Sequence, residues 1–212
     1  MRTMRGREWL AVALAVMAFV VIGCENGVGS SSEGRAQGVV KDHPQQANPK
    51  VSGAGATSAT FTGDLTANTF VSLSADGTTW VDLGSPNGIT IKLQNTTDST
   101  NVHGEQDARV GTYARVRLVL QNATATIKAG STIGSLTLTS DTTVKVGGTD
   151  QRVEIDKAVS FQVSSETSFR TAIVFELNAE QWITEQSVQA GVVEDTAIQQ
   201  ATTVAARTES RS

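Results

Sequence analysis

The chain has 212 residues, a formal net charge of −4 and only 5% aromatic residues. Its charges are sparse and form no basic stripe, so we expect no nucleic-acid partner. A single cysteine excludes an internal disulfide, and the many Thr, Ser, Gly and Val residues favour β-sheet with frequent turns over a helical bundle.

The N-terminal segment has the layout of a secretory signal. Three arginines, Arg2, Arg5 and Arg7, precede an uncharged apolar run from Trp9 to Ile22. This run is shorter than the ~20 apolar residues that a comfortable membrane span needs. We therefore predict a cleaved signal peptide over residues 1–23, and an uncleaved anchor helix is the weaker alternative.

The apolar run ends at Val21-Ile22-Gly23-Cys24, which resembles the lipobox of bacterial lipoproteins. The resemblance implies a diacylglycerol on the Cys24 thiol, cleavage after Gly23, and acylation of the new amino group by a chain such as palmitate. It also implies a lipid-anchored protein of the cell envelope, with the membrane as its first partner. Glu25, in place of an Asp at that position, implies outer-membrane sorting if the cell is Gram-negative. The alternative, that Cys24 is a small buried residue, is weaker because the sequence after it has little apolar content.

Residues 24–56 are rich in Gly, Ser, Gln, Pro, Asn and Ala. This composition predicts a disordered linker, which would hold the domain about 30 Å from the membrane on average. His43 falls in this linker and is expected to be solvated.

From residue 57 onward, short runs of alternating residues are separated by turn signals, which indicates many short strands. Asp76-Gly77 predicts a hairpin, Pro86-Asn87-Gly88 predicts a second turn, and the polar segment 95–107 predicts a long loop. The early strands are predicted at Thr60–Gly63, Thr69–Ser74, Thr78–Leu83 and Ile89–Leu93.

Two strands are predicted most clearly. From Thr112 to Gln121, alternation places Ala114 and Val116 on a buried face and Tyr113 on the opposite face with Arg115 and Arg117. From Phe169 to Leu177, the buried face is Phe169, Thr171, Ile173, Phe175 and Leu177. Shorter strands are predicted between them, at Ala123–Lys128, Ser135–Thr139, Thr142–Val146, Val153–Ile155 and Val159–Val163.

We therefore predict an all-β protein with one antiparallel β-sandwich domain, immunoglobulin-like or transthyretin-like, over residues 57–207. Segment 190–207 is compatible with either a helix or a last strand. Residues 208–212 are predicted to be a disordered C-terminus.

Three segments together resemble an uncharacterised family of bacterial envelope lipoproteins. They are the Asp76-Gly77 hairpin with Trp80-Val81-Asp82-Leu83, the Gly111-Thr112-Tyr113 strand with Val116-Arg117-Leu118, and the late Phe175-Glu176-Leu177 strand. The resemblance implies a sandwich-like fold and an envelope location. It implies no particular activity, because the family has none established.

The sequence offers no strong catalytic or metal site, and we expect no cofactor. His103 is predicted to be a solvated loop residue without a nucleophile motif beside it. Glu105 and Asp107 could form a carboxylate pair for glycoside hydrolysis or, with Asp98, a Ca²⁺ site. Solvated loop charges explain these three residues better.

Trp80, Tyr113 and Trp182 are the candidate ligand-binding residues, because β-sandwiches bind sugars through exposed aromatic side chains. The competing interpretations are that Trp80 closes one end of the sandwich and that Tyr113 is tied to a backbone group at a sheet corner.

The leading functional hypothesis is a non-enzymatic binding or structural module that contacts an envelope protein or polysaccharide. A carbohydrate-binding module is the first alternative, and an envelope hydrolase with an unrecognised site is the second. Exposure of the three aromatic side chains on one face would favour sugar binding, and their burial would favour a structural role.

Overall fold

A computed structural model describes residues 33–42, 59–94, 100–101 and 105–211. The strands are β1 Glu33–Asp42, β2 Gly63–Ser74, β3 Val81–Asp82, β4 Asn87–Leu93, β5 Thr100–Asn101, β6 Gln106–Arg109, β7 Gly111–Ile127, β8 Thr132–Ile133, β9 Leu136–Thr137, β10 Thr142–Val146, β11 Arg152–Val163, β12 Phe169–Leu177, β13 Val192–Val193 and β14 Thr203–Ser210. The helices are α1 Ala179–Trp182, α2 Glu185–Ala190 and α3 Asp195–Ala201.

The predicted all-β sandwich is confirmed. One sheet has the order β14-β12-β1-β5, with β6 also paired to β1, and we call it the first sheet. The second sheet has the order β13-β10-β7-β2-β3, with β11 paired to β7 and β4 paired to β2. Most pairings are antiparallel; among the described strands the parallel ones are β1 with β12 and β10 with β13.

The position of β1 corrects the predicted linker. Residues 33–42 form a central strand of the first sheet, so the prediction of disorder over 24–56 is wrong for this stretch. β1 was missed because it mixes glycine, alanine and polar residues with a single apolar pair, Val39-Val40, and so shows no apolar period of two. A Cβ atom at Gly34 would collide with the backbone carbonyl oxygen of Ser164, so only glycine allows this close approach.

β7 is longer than predicted, since it runs without a break through the predicted strands at 112–121 and 123–128. Leu120 and Ala123 are both buried although they lie three residues apart. The chain absorbs this change of phase at Asn122, which has a φ of +52°. The partner strand β2 shifts its register between Thr66 and Asn68, across from the same point.

A second irregularity changes which residues of β7 are buried at its start. Tyr113 is buried and Ala114 is exposed, the reverse of the predicted faces. β11 shifts its register between Ala158 and Phe161, across from this end of β7.

β12 has the predicted bounds of 169–177 but not the predicted alternation. Residues 171–175 are buried on both faces, whereas Phe169 is exposed. One hydrophobic core joins the two sheets; its largest fully buried side chains include Trp182, Phe175, Leu65, Leu118, Leu120, Ile127 and Ile173.

The C-terminal segment contains both a helix and a strand. Ala197 lies in α3 and Val204 lies in β14, so the two alternatives for residues 190–207 occur one after the other. β14 pairs with β12 as far as Ser210, which corrects the predicted disorder of residues 208–210.

Other local predictions need smaller corrections. The predicted strand at 69–74 is the second half of β2, which begins at Gly63. Of the predicted strand at 60–63, only Gly63 belongs to β2, and Thr60 forms an isolated bridge with Thr132. The predicted 95–107 loop contains β5 and the start of β6. No helix within the described ranges is long and apolar enough to cross a membrane.

Candidate binding surface

Several candidate residues lie outside the described ranges. They are Cys24 and the rest of the lipobox, Glu25, His43, Asp98 and His103. The lipid anchor therefore stays a prediction from sequence.

Trp182 and Tyr113 are core residues. Trp182 is the last residue of α1, and its side chain is 1% exposed. Its indole nitrogen has no hydrogen-bond partner in the described part of the chain. Tyr113 is 7% exposed, and its ring stacks on Phe161 with the centroids 5.4 Å apart. Its hydroxyl donates to the backbone oxygen of Arg109 at 2.8 Å. This bond agrees with the interpretation that Tyr113 is tied to a backbone group at a sheet corner. Burial raises the pKa of the Tyr113 phenol.

Trp80 is the most accessible of the three, and it is half-buried. The guanidinium carbon of Arg117 lies 3.9 Å from the centroid of the Trp80 ring, which is a cation–π contact. The three aromatic side chains therefore do not form the single exposed platform that the sugar-binding alternative requires.

The hairpin before Trp80 is held by the carboxylate of Asp76. This carboxylate accepts hydrogen bonds from the backbone amides of Thr78 and Thr79 at 2.8 and 2.7 Å and from the Thr79 hydroxyl at 2.9 Å. The Ser74 hydroxyl also donates to it, at 3.1 Å. These bonds, the two backbone amides first, hold the pKa of Asp76 well below its ordinary value. The predicted turn at Asp76-Gly77 is thus present and held by local contacts. The connection is longer than a two-residue hairpin, because the pairing of β2 with β3 stops at Leu73 and Val81, and the predicted strand at 78–83 is reduced to Val81–Asp82.

Arg115 and Arg117 belong to a network of ion pairs across β7 and β11. Arg115 contacts Asp156 at 2.9 Å, and Arg117 contacts Glu154 at 3.0 Å and Asp156 at 3.4 Å. Glu154 also binds Arg152 at 2.8 Å. Arg117 Nε faces Glu154 without the alignment of a hydrogen bond, so the contact is electrostatic. Together with Trp80, these five residues form a surface that we call the Trp80 face.

The Trp80 face carries three arginines, Arg115, Arg117 and Arg152, against the two carboxylates of Glu154 and Asp156, so its charges are largely but not fully paired. Its side chains are 26–49% exposed, and pairs with this exposure contribute only about 0–1 kcal/mol each to folding stability. The Ser72 hydroxyl donates to Asp82 at 2.7 Å beside this face. The arrangement suits hydrogen bonding with a polar partner more than catalysis.

A cleft of about 380 Å³ lies where the hairpin approaches the start of β7. It is lined by Leu73, Ala75, Asp76, Thr79, Val81, Arg109, Val110, Gly111, Thr112 and Tyr113. Val81 is 54% exposed, and Arg109 makes no ion pair within the described ranges. The size is at the lower end for small-molecule sites, which span about 300–1,000 Å³.

The carboxylates considered for hydrolysis are bound by arginines. Asp107 pairs with Arg35, and Glu105 lies 3.6 Å from Arg35 and 2.8 Å from Arg211. Among the described residues no group of three or more metal-ligating side chains occurs. The sequence could not reveal these pairs because Arg35 lies in the segment predicted as linker and Arg211 in the segment predicted as a disordered tail.

Asp42 was missed entirely. It is fully buried at the end of β1. Its carboxylate accepts from the backbone amide of Gln94 at 2.5 Å and from that of Ala179, the first residue of α1, at 2.8 Å. The residue joins the ends of β1 and β4 to the start of α1, which is a structural role that no local sequence pattern indicates.

No protein-family model, curated protein or solved structure matches this chain. The resemblance to envelope lipoproteins therefore stays a prediction.

Proposed function

We propose that the protein is a lipid-anchored protein of the bacterial cell envelope, with a folded domain that acts as a binding or structural module and not as an enzyme. The observation that carries the proposal is the lipobox at residues 21–24, which closes an apolar run that follows three arginines. Attachment by several acyl chains would make the anchor effectively permanent, since one chain alone gives only marginal binding.

The bounds of β1 support a position of the domain close to the proposed anchor. β1 begins nine residues after Cys24. A flexible segment of this length has an average end-to-end distance of about 16 Å, which is half of what a linker to residue 56 would give. The proposed module therefore works at the membrane surface, and Glu25 favours the outer membrane as its location.

The contacts of the domain support binding or structure over catalysis. Glu105 and Asp107 are paired with arginines, and Asp76 is occupied by its own hairpin. The polar Trp80 face offers many hydrogen-bonding groups to a partner, which in this location is an envelope protein or polysaccharide.

Sugar binding at Trp80 is the second candidate function, favoured by one observation. The half-buried Trp80 ring lies next to Arg117 and follows a tightly held turn, so one ring in a fixed position could stack on a sugar. A thermal-shift titration with envelope glycans tests it. A saturable rise that Trp80→Ala removes supports this function, and no rise with any glycan contradicts it.

The lipid anchor is tested by replacing its cysteine. We expect Cys24→Ser to abolish labelling by radioactive palmitate and to move the full chain from the detergent phase to the aqueous phase in Triton X-114 partitioning. Ser32→Ala is the matched control, since it changes a nearby small polar residue outside the lipobox. Labelling and detergent partitioning of Cys24→Ser equal to those of the wild type would overturn the proposal.

A further inference from the structure

The described part of the chain begins at one end of the sandwich. Glu33 opens β1 opposite Arg109 of β6, and Gly34 packs against the backbone of Ser164. Phe169 opens β12 opposite Ser210 near the end of β14. We call this end the proximal pole; it comprises Glu33, Arg109, the segment 164–169 and residues 210–211.

The opposite end is the distal pole, where β1 finishes. Asp42 contacts Gln94 there, and Gln94 lines a cleft together with Lys128. Ala129 follows Lys128 in an exposed turn. Because strands rise about 3.3 Å per residue, the ten residues of β1 separate the two poles by about 30 Å.

We propose that the proximal pole is the membrane-contacting surface of the domain and that its partner is the phospholipid headgroup layer in which the protein is anchored. This inference rests on the lipid anchor of the proposed function. The nine residues from Cys24 to Glu33 reach at most about 32 Å when fully extended, and about 16 Å on average if flexible. A domain of this size is about 40 Å across. The tether is therefore too short for the domain to turn over freely, and the pole that it enters stays nearest the bilayer.

The charges of the proximal pole and of its neighbours suit this position. Within the pole, the carboxylates of Glu33 and Glu166 are matched in number by Arg109 and Arg211. Next to the pole, Arg35 pairs with Asp107 and Glu105, Arg211 also pairs with Glu105, and Arg170 pairs with Glu209 at 3.0 Å. This end of the domain therefore carries no large excess of negative charge that anionic headgroups would repel.

Apolar exposure is concentrated near the same pole. Phe169 and Val81 are the large apolar side chains that the described residues expose, at 37% and 54%. Phe169 belongs to the pole itself, and Val81 lines the cleft that Arg109 and Gly111 also line. Apolar side chains at the headgroup boundary gain from partial burial in the interface. In addition, Arg109 lacks an ion-pair partner in the described residues and is exposed, so it is available to a lipid phosphate.

The orientation is measured with one fluorescent probe at each pole. Once Cys24 is lipidated the protein has no free thiol, so a single new cysteine can be labelled alone. Ser168→Cys places the label at the proximal pole and Ala129→Cys places it at the distal pole; both sites are exposed. The full lipidated chain is inserted into preformed phosphatidylcholine and phosphatidylglycerol vesicles containing a headgroup-nitroxide lipid. We expect several-fold stronger quenching at position 168 than at position 129.

A longer tether is the matched control. Inserting about 20 Gly and Ser residues after Ser32 roughly doubles the average reach of the tether. We expect the quenching difference between the two probes to shrink while the protein still floats with the vesicles. Phe169→Ser in the short-tether protein is expected to weaken quenching at position 168 and to leave position 129 unchanged.

The possible results separate the two proposals. If the labelled protein fails to float with vesicles, the proposed lipid anchor is contradicted, and so is the proposed orientation that depends on it. If it floats but the two probes are quenched equally, or position 129 is quenched more, the anchor stands and the proximal pole is not the membrane surface.

Discussion

β1 and β12 lie side by side in the first sheet, paired in parallel over seven residues, and both are mostly buried, but different interactions hold them. β12 brings Ile173, Phe175 and Leu177 into the core, so burial of large apolar side chains stabilises it. β1 brings only the smaller apolar side chains of Ala36 and Val40 into the core, together with Gly34 and the buried side chain of Asp42. Close backbone approach at Gly34 and hydrogen bonds to the Asp42 side chain therefore carry a larger share of the stability of this strand.

The difference between these neighbours predicts how each should respond to change. A strand held by large apolar side chains loses stability in proportion to the apolar volume that is removed. A strand held by close approach and one buried hydrogen-bonding side chain should instead be sensitive to any added atom and to loss of that side chain. Two substitutions in β1, each with a control variant, test this contrast.

The largest effect is expected for Asp42→Ala. The substitution leaves the backbone amides of Gln94 and Ala179 without their acceptor. Each buried donor left unsatisfied costs about 1–3 kcal/mol, so for two amides we expect the free energy of unfolding to fall by about 3 kcal/mol or more. Urea denaturation of the full chain measures it.

Asp150→Ala is the control for this experiment, because Asp150 is an exposed acidic residue between two strands. Its unfolding midpoint should stay within experimental error of the wild type. If Asp42→Ala also leaves the unfolding midpoint unchanged, β1 is not held by its carboxylate and the contrast with β12 is wrong.

A smaller effect is expected for Gly34→Ala, which adds a single methyl group. The new Cβ atom would meet the carbonyl oxygen of Ser164, a backbone atom that cannot rotate away. Overpacking of this kind costs about 1–3 kcal/mol, and the loss should appear as a lower urea midpoint with an unchanged slope.

Gly88→Ala provides the comparison for Gly34→Ala. A Cβ atom at Gly88 would lie at an ordinary contact distance of 3.5 Å from the Asn68 side chain, so no loss of this kind is expected. Equal midpoints for Gly34→Ala and the wild type would show that β1 can move away from the 164–168 turn.

These two strands also show which parts of the fold the sequence could predict. β12 was predicted with its observed bounds because five positions at a spacing of two were apolar or threonine. β1 gives no such signal: its sequence is EGRAQGVVKD, and its burial depends on contacts with residues more than 60 positions away. Composition alone makes such a segment look like linker.

The candidate surface divides in the same way. The Asp76 hairpin was predictable because Asp-Gly specifies a turn through bonds to its own neighbours. The burial of Trp182 and Tyr113 was not, since it depends on α1, on Phe161 and on the shift in β11. Arg117 was placed on the correct face, but its contact with Trp80 joins residues 37 positions apart and left no pattern in the sequence.

The Asp76 hairpin should respond to pH in a way that depends on these local contacts alone. The pKa of Asp76 in the folded protein lies below its ordinary value of 3.8, so the ionised form stabilises the folded state. This contribution is complete above the unfolded pKa and is lost as pH falls from about 4 toward the folded pKa.

Asp76→Ala should therefore have a flatter acid limb in a plot of melting temperature against pH, because it removes this proton linkage. Thr79→Ala, which removes only the hydroxyl bond to Asp76, should lie between that variant and the wild type. If the melting temperature of Asp76→Ala falls with acid as steeply as that of the wild type, the turn does not depend on the ionised carboxylate. The hairpin would then resemble β1, because its stability would depend on distant contacts.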